Sequence, residues 1–311
     1  MHVPRILLFG AHGQLGVELA RTLSLLGQVV AADQPHCDIC DETALRAYIR
    51  IVKPALIVNA AAYTAVDKAE SEPELAERVN AIAPGIMAQE AQRLNAGMVH
   101  YSTDYVYDGK SNEPYREDHP TAPLSVYGLT KLHGDQAIQA SGCRHLIFRT
   151  TWVYGHHGNN FVKTILRLAS TRDELKIVDD QFGAPTWSRA IATATTIALA
   201  QLVPLVQLGR DAETERWTDA SGVYHLSAGG RTNWLEFATD IVARGKAAGV
   251  IPEKTLELKA TTGLEYGAPA LRPTHSVLSN GKVQAQFGIY LPDWRVSFEQ
   301  MFNEHPAGLI S

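Results

Sequence analysis

The chain has 311 residues, of which 45% are apolar and 20% are charged. These fractions are those of a globular protein, and they exclude wholesale disorder and fibrous architectures. Lysine and arginine together number 28 and aspartate and glutamate 33, so the net charge is −5, and the sequence has no basic block. The charge argues against nucleic acid as a partner, and the length is typical of about two domains.

The cysteines and the apolar runs indicate the compartment. Three cysteines in this length make no disulfide framework, which predicts a reducing environment. Cys37 and Cys40 form a CxxC pair, but a structural zinc site needs about four ligands, so we interpret them as small residues of a loop. Residues 190–209 are uncharged but contain three threonines, two glutamines and a proline, which predicts a buried helix instead of a membrane span. We therefore expect a cytoplasmic protein with no membrane partner.

The first 150 residues alternate short β-branched runs with helical patterns. The predicted strands are residues 5–10, 29–33, 55–59, 98–101 and 145–150, and the predicted helices are 14–26, 41–51, 73–94 and 125–139. Strands separated by helices of this length require right-handed crossovers and a parallel sheet with both faces covered. The sequence predicts an α/β fold with a doubly wound parallel sheet of the Rossmann type.

The alternation becomes less regular after residue 150. The predicted helices there are 161–170, 189–202, 234–246 and 295–303, the predicted strands are 176–179 and 223–226, and 210–219 is predicted to be a surface loop. We expect residues 1–150, joined by elements from about 189–227, to form a dinucleotide-binding domain. Residues 151–188 and 228–311 are expected to form a smaller substrate-binding part.

A glycine-rich turn lies where the first strand meets the first helix. Gly10, Gly13 and Gly16 follow a GxxGxxG spacing, which allows backbone N–H groups and the helix N-terminus to approach a pyrophosphate. Asp33 ends the second strand about 20 residues on, where a carboxylate can accept hydrogen bonds from the adenosine ribose. A carboxylate there repels a 2′-phosphate, which favours NADH over NADPH. The alternative is a glycine turn that holds no ligand.

Tyr127 and Lys131 form a YxxxK near the start of a predicted helix. The i, i+4 spacing places the phenol and the ammonium on one face, where the cation is expected to draw the pKa of the tyrosine down from about 10. A short YxxxK also occurs by chance as an exposed pair. Here it follows a nucleotide-binding turn and a strand that ends in Ser102, Thr103 and Asp104, which favours a functional interpretation.

These segments resemble the extended short-chain dehydrogenases/reductases. The glycine turn, residues 59–70, residues 102–107 and the YxxxK carry that resemblance. Five longer phrases resemble the dTDP-4-dehydrorhamnose reductase family, namely residues 63–67, 159–161, 180–186, 272–273 and 291–294. The resemblance runs from about residue 5 to residue 303, nearly the whole chain.

The resemblance implies a reaction in nucleotide-sugar and cell-surface polysaccharide biosynthesis. It is the reduction of the C4 ketone of dTDP-4-dehydro-L-rhamnose to dTDP-L-rhamnose by NADH or NADPH. Tyr127 would protonate the C4 oxygen, and Lys131 would hold the nicotinamide ribose and lower the pKa of the tyrosine. Thr103 would hydrogen-bond the carbonyl oxygen, and Asp104 would contact the sugar. Such donors act on charge that develops in the transition state.

The resemblance also implies the remaining contact residues. The cofactor-binding set is Gly10, Gly13, Gln14, Leu15, Gly16, Asp33, Asp38, Ile39, Ala62, Tyr63, Thr64, Tyr101 and Lys131. The substrate-binding set is Thr103, Asp104, Tyr127, Trp152, Asn160 and Arg272. The alternative for Trp152 is an ordinary core aromatic, and for Arg272 it is a surface salt bridge instead of a bidentate phosphate contact.

One position departs from the family. Some members form a Mg²⁺-linked dimer through acidic residues, and Glu18 and Glu304 match or lie near two of those positions. The third position is Arg189 here, and a cation repels Mg²⁺. We therefore expect no bound metal, and a monomer or weak homodimer without a metal bridge.

Three rival functions share features with this sequence. A nucleotide-sugar 4,6-dehydratase needs an Asp-Glu pair after the threonine, whereas this chain has Asp104 and Tyr105, and the phrase at residues 181–186 does not favour a C4 epimerase. The regulatory subunit of methionine adenosyltransferase, which binds dinucleotide without catalysis, remains the alternative. The presence of Thr103, Tyr127 and Lys131 together favours an enzyme.

Overall fold

A computed structural model describes residues 3–32, 37–202, 216–253, 255–304 and 306–309. In chain order the strands are β1 (Arg5–Phe9), β2 (Gln28–Ala32), β3 (Leu56–Asn59), β4 (Gly97–Thr103), β5 (Arg144–Thr150), β6 (Val153–Tyr154), β7 (Glu174–Val178), β8 (Phe182–Gly183), β9 (Thr186–Trp187), β10 (Gly222–His225), β11 (Thr232–Asn233) and β12 (Glu257–Thr261). The helices are α1 (Gln14–Leu23), α2 (Glu42–Val52), α3 (Val66–Ala69), α4 (Pro73–Glu77), α5 (Ala83–Leu94), α6 (Val126–Ala140), α7 (Phe161–Thr171), α8 (Ser188–Leu202), α9 (Trp234–Ala247), α10 (Gly263–Tyr266), α11 (Gly281–Phe287) and α12 (Trp294–Glu304). A π-helix covers Arg78–Ile82, 3₁₀-helices cover Asp104–Val106 and Pro306–Leu309, and residues 216–220 are also helical.

Six strands form one parallel sheet in the order β10-β5-β4-β3-β1-β2. From β1 the chain adds β2 on one side and then β3, β4 and β5 on the other, so the strand order reverses beside β1. At such a reversal the connections leave on opposite faces and open a crevice at the carboxyl ends of the strands. The register brings Phe9, Ala32 and Asn59 level at that edge. This is the doubly wound α/β fold that the sequence predicted.

Helices cover both faces of the sheet. They bury the apolar side chains that successive strand residues point to opposite faces. On one face Leu8 belongs to a buried cluster with Leu19 of α1 and Leu199 of α8. On the other face Leu7 belongs to a cluster with Met87 of α5. Each of these side chains is fully buried, and burying one stabilises the fold by about 1.5–3 kcal/mol. Near-continuous apolar strands of this kind are typical of parallel sheets.

The elements after β5 divide between the sheet and a third apolar cluster. Helix α8 shares a cluster with α1, and β10 pairs with β5 in the parallel sheet. Helices α7, α9 and α12 enclose the separate cluster around Phe237. Asn160 donates a hydrogen bond to Gln14, and Arg272 pairs with Asp67. These contacts join the C-terminal region to the start of α1 and to α3, the helices that follow β1 and β3.

The helix predicted over residues 73–94 is interrupted. At the end of the π-helix the N–H of Ala83 bonds to the carbonyl of Arg78, five residues back. Pro84 has no N–H and cannot bond to the carbonyl of Asn80, which removes a regular helical bond at this point.

Two further predictions concern the region after residue 202. The end of the loop predicted over residues 210–219 was wrong, because residues 216–220 are helical, and residues 203–215 lie outside the described part. The two-residue strands β6, β8, β9 and β11 were not predicted, because so short a strand has no periodicity. In the part of the chain that the structure describes, no helix has the length and apolar character needed to cross a membrane.

Candidate active site

The glycine turn after β1 forms a close-fitting cradle. Gly10 has φ +76°, and a Cβ there would lie 2.5 Å from the nitrogen of Ala61. A Cβ on Gly16 would overlap the carbonyl oxygen of Gly10. Helix α1 begins after Gly13, which has no side chain to cap the first turn. Backbone N–H groups and the helix dipole at this position suit a diphosphate, so the cradle fits a dinucleotide.

The other predicted cofactor residues occupy different environments. Asp33 lies outside the described residues. Asp38 is exposed, and its carboxylate accepts a hydrogen bond of 2.8 Å from the N–H of Cys40. Tyr63 donates its hydroxyl to Glu72 at 2.7 Å. Leu15 is buried in the cluster under α1, Ile39 packs partly against the opposite cluster, Ala62 is half-buried and Thr64 is exposed.

The cysteine pair carries no sign of a metal site. Burial raises the pKa of both the Cys37 and Cys40 thiols, and neighbouring Asp38 raises both further. Among the described residues, no group of three or more histidines, cysteines and carboxylates could hold a metal ion.

Helix α6 carries Tyr127 and Lys131 on successive turns. Ser125 caps this helix by accepting a hydrogen bond of 3.2 Å from the N–H of Gly128, which places Tyr127 in the first turn. Thr103 ends β4 and donates its hydroxyl to Asp104 at 3.1 Å. The ring of Tyr105 lies 5.5 Å from that of Tyr127 in an edge-to-face arrangement.

The pKa of Tyr127 is raised to about 12, the opposite of the direction predicted from the YxxxK spacing. Burial is the main cause, a hydrogen bond with Thr103 lowers the pKa, and the carboxylates of Asp104 and Asp135 raise it. The prediction was wrong in direction because burial outweighs the other influences and the amine of Lys131 is bonded elsewhere.

Lys131 is buried, with 1% of its surface exposed. Its Nζ donates to the carbonyl oxygen of Tyr101 at 2.6 Å and lies 3.2 Å from Nε2 of His100. Burial lowers the pKa of Lys131 to about 8, and the Asp135 carboxylate opposes that shift. The hydroxyl of Tyr101 points into the sheet cluster, where it lies 2.9 Å from the Thr195 hydroxyl. No local pattern pointed to His100, because it stands between Val99 and Tyr101 in a buried strand.

Asp104 is a buried carboxyl group surrounded by hydroxyls. Its two oxygens accept hydrogen bonds from Thr103 at 3.1 Å and Thr151 at 2.8 Å. Burial raises the pKa of Asp104 to about 6, although hydrogen bonds from Ser276, Thr151 and Thr103 lower it. This carboxyl group can therefore exchange a proton near neutral pH.

Trp152 is half-buried and has a left-handed backbone, with φ +45°. A bulky residue rarely adopts that conformation, which tends to be found at functional sites. Its indole stacks on Trp234 with the ring centroids 3.5 Å apart and the planes 9° from parallel. The ring of Phe161 lies 4.5 Å from that of Trp234. The sequence prediction had not included Trp234, because a tryptophan at a helix start has no local signature of a site.

Asn160 and Arg272, the two remaining predicted substrate residues, are bonded within the chain. Asn160 caps α7 through Lys163 and donates to the side chain of Gln14 at 3.1 Å. Arg272 donates to Asp67 at 2.8 Å, and that pair, despite burial, holds the pKa of Asp67 below its usual value. The salt bridge named as the alternative for Arg272 is therefore present.

A cavity of about 630 Å³ opens beside these residues. It lies between α7, β7 and the segment around α10, and its lining includes Ile177, Trp234, Tyr266 and Arg272. This volume lies within the range of pockets that enclose small ligands. Apolar walls with a few polar groups at the rim suit a ligand with a flat ring and charged groups.

Arg189 lies between the carboxylates of Glu18 and Glu304, the two acidic residues at or near the positions that bind Mg²⁺ in some members of the family. Its guanidinium donates to both oxygens of Glu18, at 3.0 and 3.1 Å, and pairs with Glu304. Glu18 is buried, and its pKa is lowered because hydrogen bonds from Arg189 and Arg21 outweigh burial. A guanidinium fills the space between these carboxylates, so the residues present do not fit Mg²⁺.

A doubly wound sheet with this cradle and with Thr103, Tyr127 and Lys131 at its edge is the arrangement of the extended short-chain dehydrogenases/reductases. The chain is 46% identical over 292 residues to a dTDP-4-dehydrorhamnose reductase of Burkholderia thailandensis, covering 94% of this chain and 95% of that protein. It is 44% identical over 303 residues to the one of Escherichia coli, with 96% and 97% covered. The chain belongs to the dTDP-4-dehydrorhamnose reductase family.

A family model and solved structures agree with this assignment. The model described as RmlD substrate binding domain matches residues 4–306. The crystal structure of a dTDP-4-dehydrorhamnose reductase from Bacillus anthracis in complex with NADP has a TM-score of 0.84 at 32% identity and covers 98% of this chain and 100% of that one. The ortholog from Clostridium acetobutylicum has a TM-score of 0.85 at 34% identity, with 97% and 99% covered. The predicted family and fold class are confirmed, and these relatives support an oxidoreductase instead of the regulatory subunit.

Proposed function

We propose that this chain reduces the C4 ketone of dTDP-4-dehydro-L-rhamnose to dTDP-L-rhamnose, as a step of nucleotide-sugar biosynthesis. The observation that carries the proposal is that Thr103 ends β4 while Tyr127 and Lys131 lie on helix α6, whose Lys131 amine bonds to β4 at Tyr101, in a chain of this family. NADH or NADPH would supply a hydride to C4, and the cradle of Gly10, Gly13 and Gly16 would hold its diphosphate.

Tyr127 acts as the general acid. Hydride addition to a ketone places negative charge on the C4 oxygen, which takes a proton to become a hydroxyl. A phenol whose pKa is raised to about 12 keeps its proton at neutral pH and has it available for that oxygen. The Thr103 hydroxyl, which donates to Asp104 at 3.1 Å here, would turn to donate a second hydrogen bond to that oxygen, and this bond strengthens as the charge develops.

Lys131 restores the proton that Tyr127 gives away. The ammonium of Lys131, with a pKa of about 8, is a much stronger acid than the phenol. The ammonium lies one helical turn from Tyr127, and to return a proton to the phenolate its Nζ would have to turn from the carbonyl of Tyr101, to which it donates here. The amine then regains a proton from solvent, and both residues are ready for another turnover.

The C-terminal part holds the substrate. The stack of Trp152 on Trp234 offers an apolar wall against which a deoxyhexose ring can pack, and Asp104 accepts a hydrogen bond from a sugar hydroxyl. The 630 Å³ cavity takes the nucleoside diphosphate, with Arg272 at its rim and Asn160 fixing the start of α7. We accordingly assign cofactor binding to residues 1–150 with elements of 189–227, and substrate binding to 151–188 and 228–311.

The test is oxidation of NADH or NADPH by the purified protein, followed at the nicotinamide absorption band after addition of dTDP-4-dehydro-L-rhamnose. We expect turnover, with a Tyr127→Phe variant slower by about 10²–10⁴-fold and little changed in cofactor affinity. Tyr105→Phe, which alters the neighbouring ring at 5.5 Å, serves as the matched control and is expected to stay within about tenfold of wild type. Tight cofactor binding without turnover would instead favour the regulatory role.

A further inference from the structure

A buried chain of polar side chains lies beneath the carboxyl edge of the sheet and consists of Asn59, His100 and Lys131. Asn59 ends β3 and lies directly opposite His100 of β4 in the sheet register. Nδ2 of Asn59 is 3.1 Å from Nδ1 of His100, and Nε2 of His100 is 3.2 Å from Nζ of Lys131. All three side chains are at most 1% exposed, so water does not compete for these contacts.

The backbone of Ala61 fixes the direction of these hydrogen bonds. Its N–H donates to Oδ1 of Asn59 at 3.1 Å, so the amide presents its NH₂ group to His100. The opposite amide orientation would set an NH₂ group against the Ala61 N–H, two donors facing each other. Nδ1 of His100 therefore accepts, and the proton of the neutral imidazole lies on Nε2, which faces Lys131.

When the N–H of His100 points at the amine of Lys131, it favours the uncharged form of that amine. An ammonium carries only donors, whereas a neutral amine has a lone pair that can accept from Nε2–H. His100 stays neutral, because burial and the neighbouring Lys131 hold its pKa well below the usual value. One of the two N–H groups of the neutral amine donates to the carbonyl of Tyr101.

The other charged groups near Lys131 do not cancel this effect. Asp135, one turn further along α6, favours the ammonium, but its carboxylate is paired with Arg149 of β5 at 3.1 Å. Tyr127 lies on the same helix, and Asp104 is bonded to Thr103 and Thr151. His100 thus remains the titratable side chain in hydrogen-bond contact with the amine.

We propose that Asn59 and His100 are positioning residues, which lock the imidazole in the Nε2–H tautomer and thereby promote release of a proton from Lys131. This inference rests on the proposed function. When the Tyr127 phenolate is reprotonated, an N–H bond of Lys131 breaks and the O–H bond of Tyr127 forms. The neutral amine that remains is stabilised by the N–H of His100, and solvent restores its proton.

The test compares Asn59→Asp with wild type by NMR of the full chain without cofactor. A carboxylate at position 59 accepts from Nδ1–H, so Nε2 loses its proton and accepts from the Lys131 ammonium. We expect the ring nitrogen shifts of His100 to show Nε2–H in wild type and Nδ1–H in Asn59→Asp. The pKa of Lys131, read from its Cε shift, is expected to rise by about 1–3 units in the variant.

The matched control is His145→Gln. His145 is also a buried strand histidine, and its Nδ1 lies 2.8 Å from the carbonyl of Cys143. This variant is expected to leave the pKa of Lys131 unchanged, whereas His100→Gln is expected to shift it. A kcat–pH profile of Asn59→Asp should move in the same direction as the pKa of Lys131.

A wild-type His100 that carries its proton on Nδ1 would overturn the inference, and that measurement requires no variant to fold. An unchanged pKa of Lys131 in folded Asn59→Asp and His100→Gln would overturn it as well. Because these readouts need neither substrate nor cofactor, they remain decisive if the protein proves not to be a reductase. If the protein reduces its substrate normally while His100 carries its proton on Nδ1, this inference is wrong and the proposed function still stands.

Discussion

Two cations set into the protein behave in opposite ways. Arg189 lies between the carboxylates of Glu18 and Glu304, which raise its pKa although burial lowers it. Lys131 faces a carbonyl and an imidazole, and burial lowers its pKa to about 8. A cation paired with carboxylates keeps its charge and ties elements together, whereas one without a direct carboxylate partner can exchange its proton. The groups that surround a cation, more than its residue type, decide whether it stabilises the fold or exchanges a proton.

The largest expected effect follows from removing the exchangeable cation. Lys131→Met should lower kcat by about 10²–10⁴-fold, because the phenolate of Tyr127 then lacks an adjacent proton donor. Lys282→Met is the matched control, since the Lys282 amine also bonds to a strand carbonyl, that of Val223 at 2.7 Å. Equal losses in both variants would show that the lysine supports the fold and not the chemistry.

Removing the paired cation should affect stability instead of rate. In Arg189→Met the carboxylate of Glu18, only 2% exposed, loses its main partner. We expect the free energy of unfolding to fall by about 1–3 kcal/mol, measured by urea denaturation, with kcat within about threefold of wild type. Since the pKa of Glu18 is lowered in the folded state, the wild-type advantage should be present above about pH 4.5 and shrink as the pH falls further. A constant difference across pH would refute that origin.

Asp104 is a buried carboxyl group whose pKa can be compared with those of Arg189 and Lys131. Its folded-state pKa of about 6 exceeds the ordinary 3.8, so its contribution to stability is full below about pH 4 and is lost as the pH rises through 6. Asp104→Asn should therefore gain about 1–3 kcal/mol of stability relative to wild type between pH 4 and pH 8. Asp118→Asn should show no such gain, because Arg116 lowers the pKa of that exposed carboxylate. Parallel pH profiles for Asp104→Asn and wild type would contradict the assignment.

A smaller effect concerns the cofactor. Asp33→Ala should weaken NADH by about tenfold, the loss expected for one or two ribose hydrogen bonds. NADPH should be weakened less, because the variant no longer repels a 2′-phosphate. Fluorescence titration with each cofactor measures the difference, and Asp118→Ala, which alters an exposed carboxylate outside the predicted cofactor-binding set, is the comparison variant. Equal losses for both cofactors would refute the ribose contact.

The smallest expected response is to Mg²⁺. Calorimetric titration together with light scattering should detect neither stoichiometric binding nor dimerisation, because the Arg189 guanidinium lies between the two carboxylates. Stoichiometric uptake with a doubled mass would overturn the predicted monomer or weak homodimer without a metal bridge.

Residues that act within one segment were predictable. Gly10, Gly13 and Gly16 have their meaning in their spacing, and Tyr127 and Lys131 have theirs in one helical turn. The strand and helix alternation of the first 150 residues likewise predicted the fold, because apolar periodicity is local. The pKa of Tyr127 was not predictable, since burial depends on every element packed around the phenol.

The order of residues alone determined the doubly wound sheet, the phosphate cradle and the identity of the groups that can move a proton. Tertiary structure decided what those groups meet: His100 opposite Asn59, Trp234 against Trp152, and Arg189 between Glu18 and Glu304. These partners are 41 to 171 residues apart in the chain, so no local spacing encodes them. Proton affinity depends on such distant neighbours and on burial, which exist only once the chain has folded.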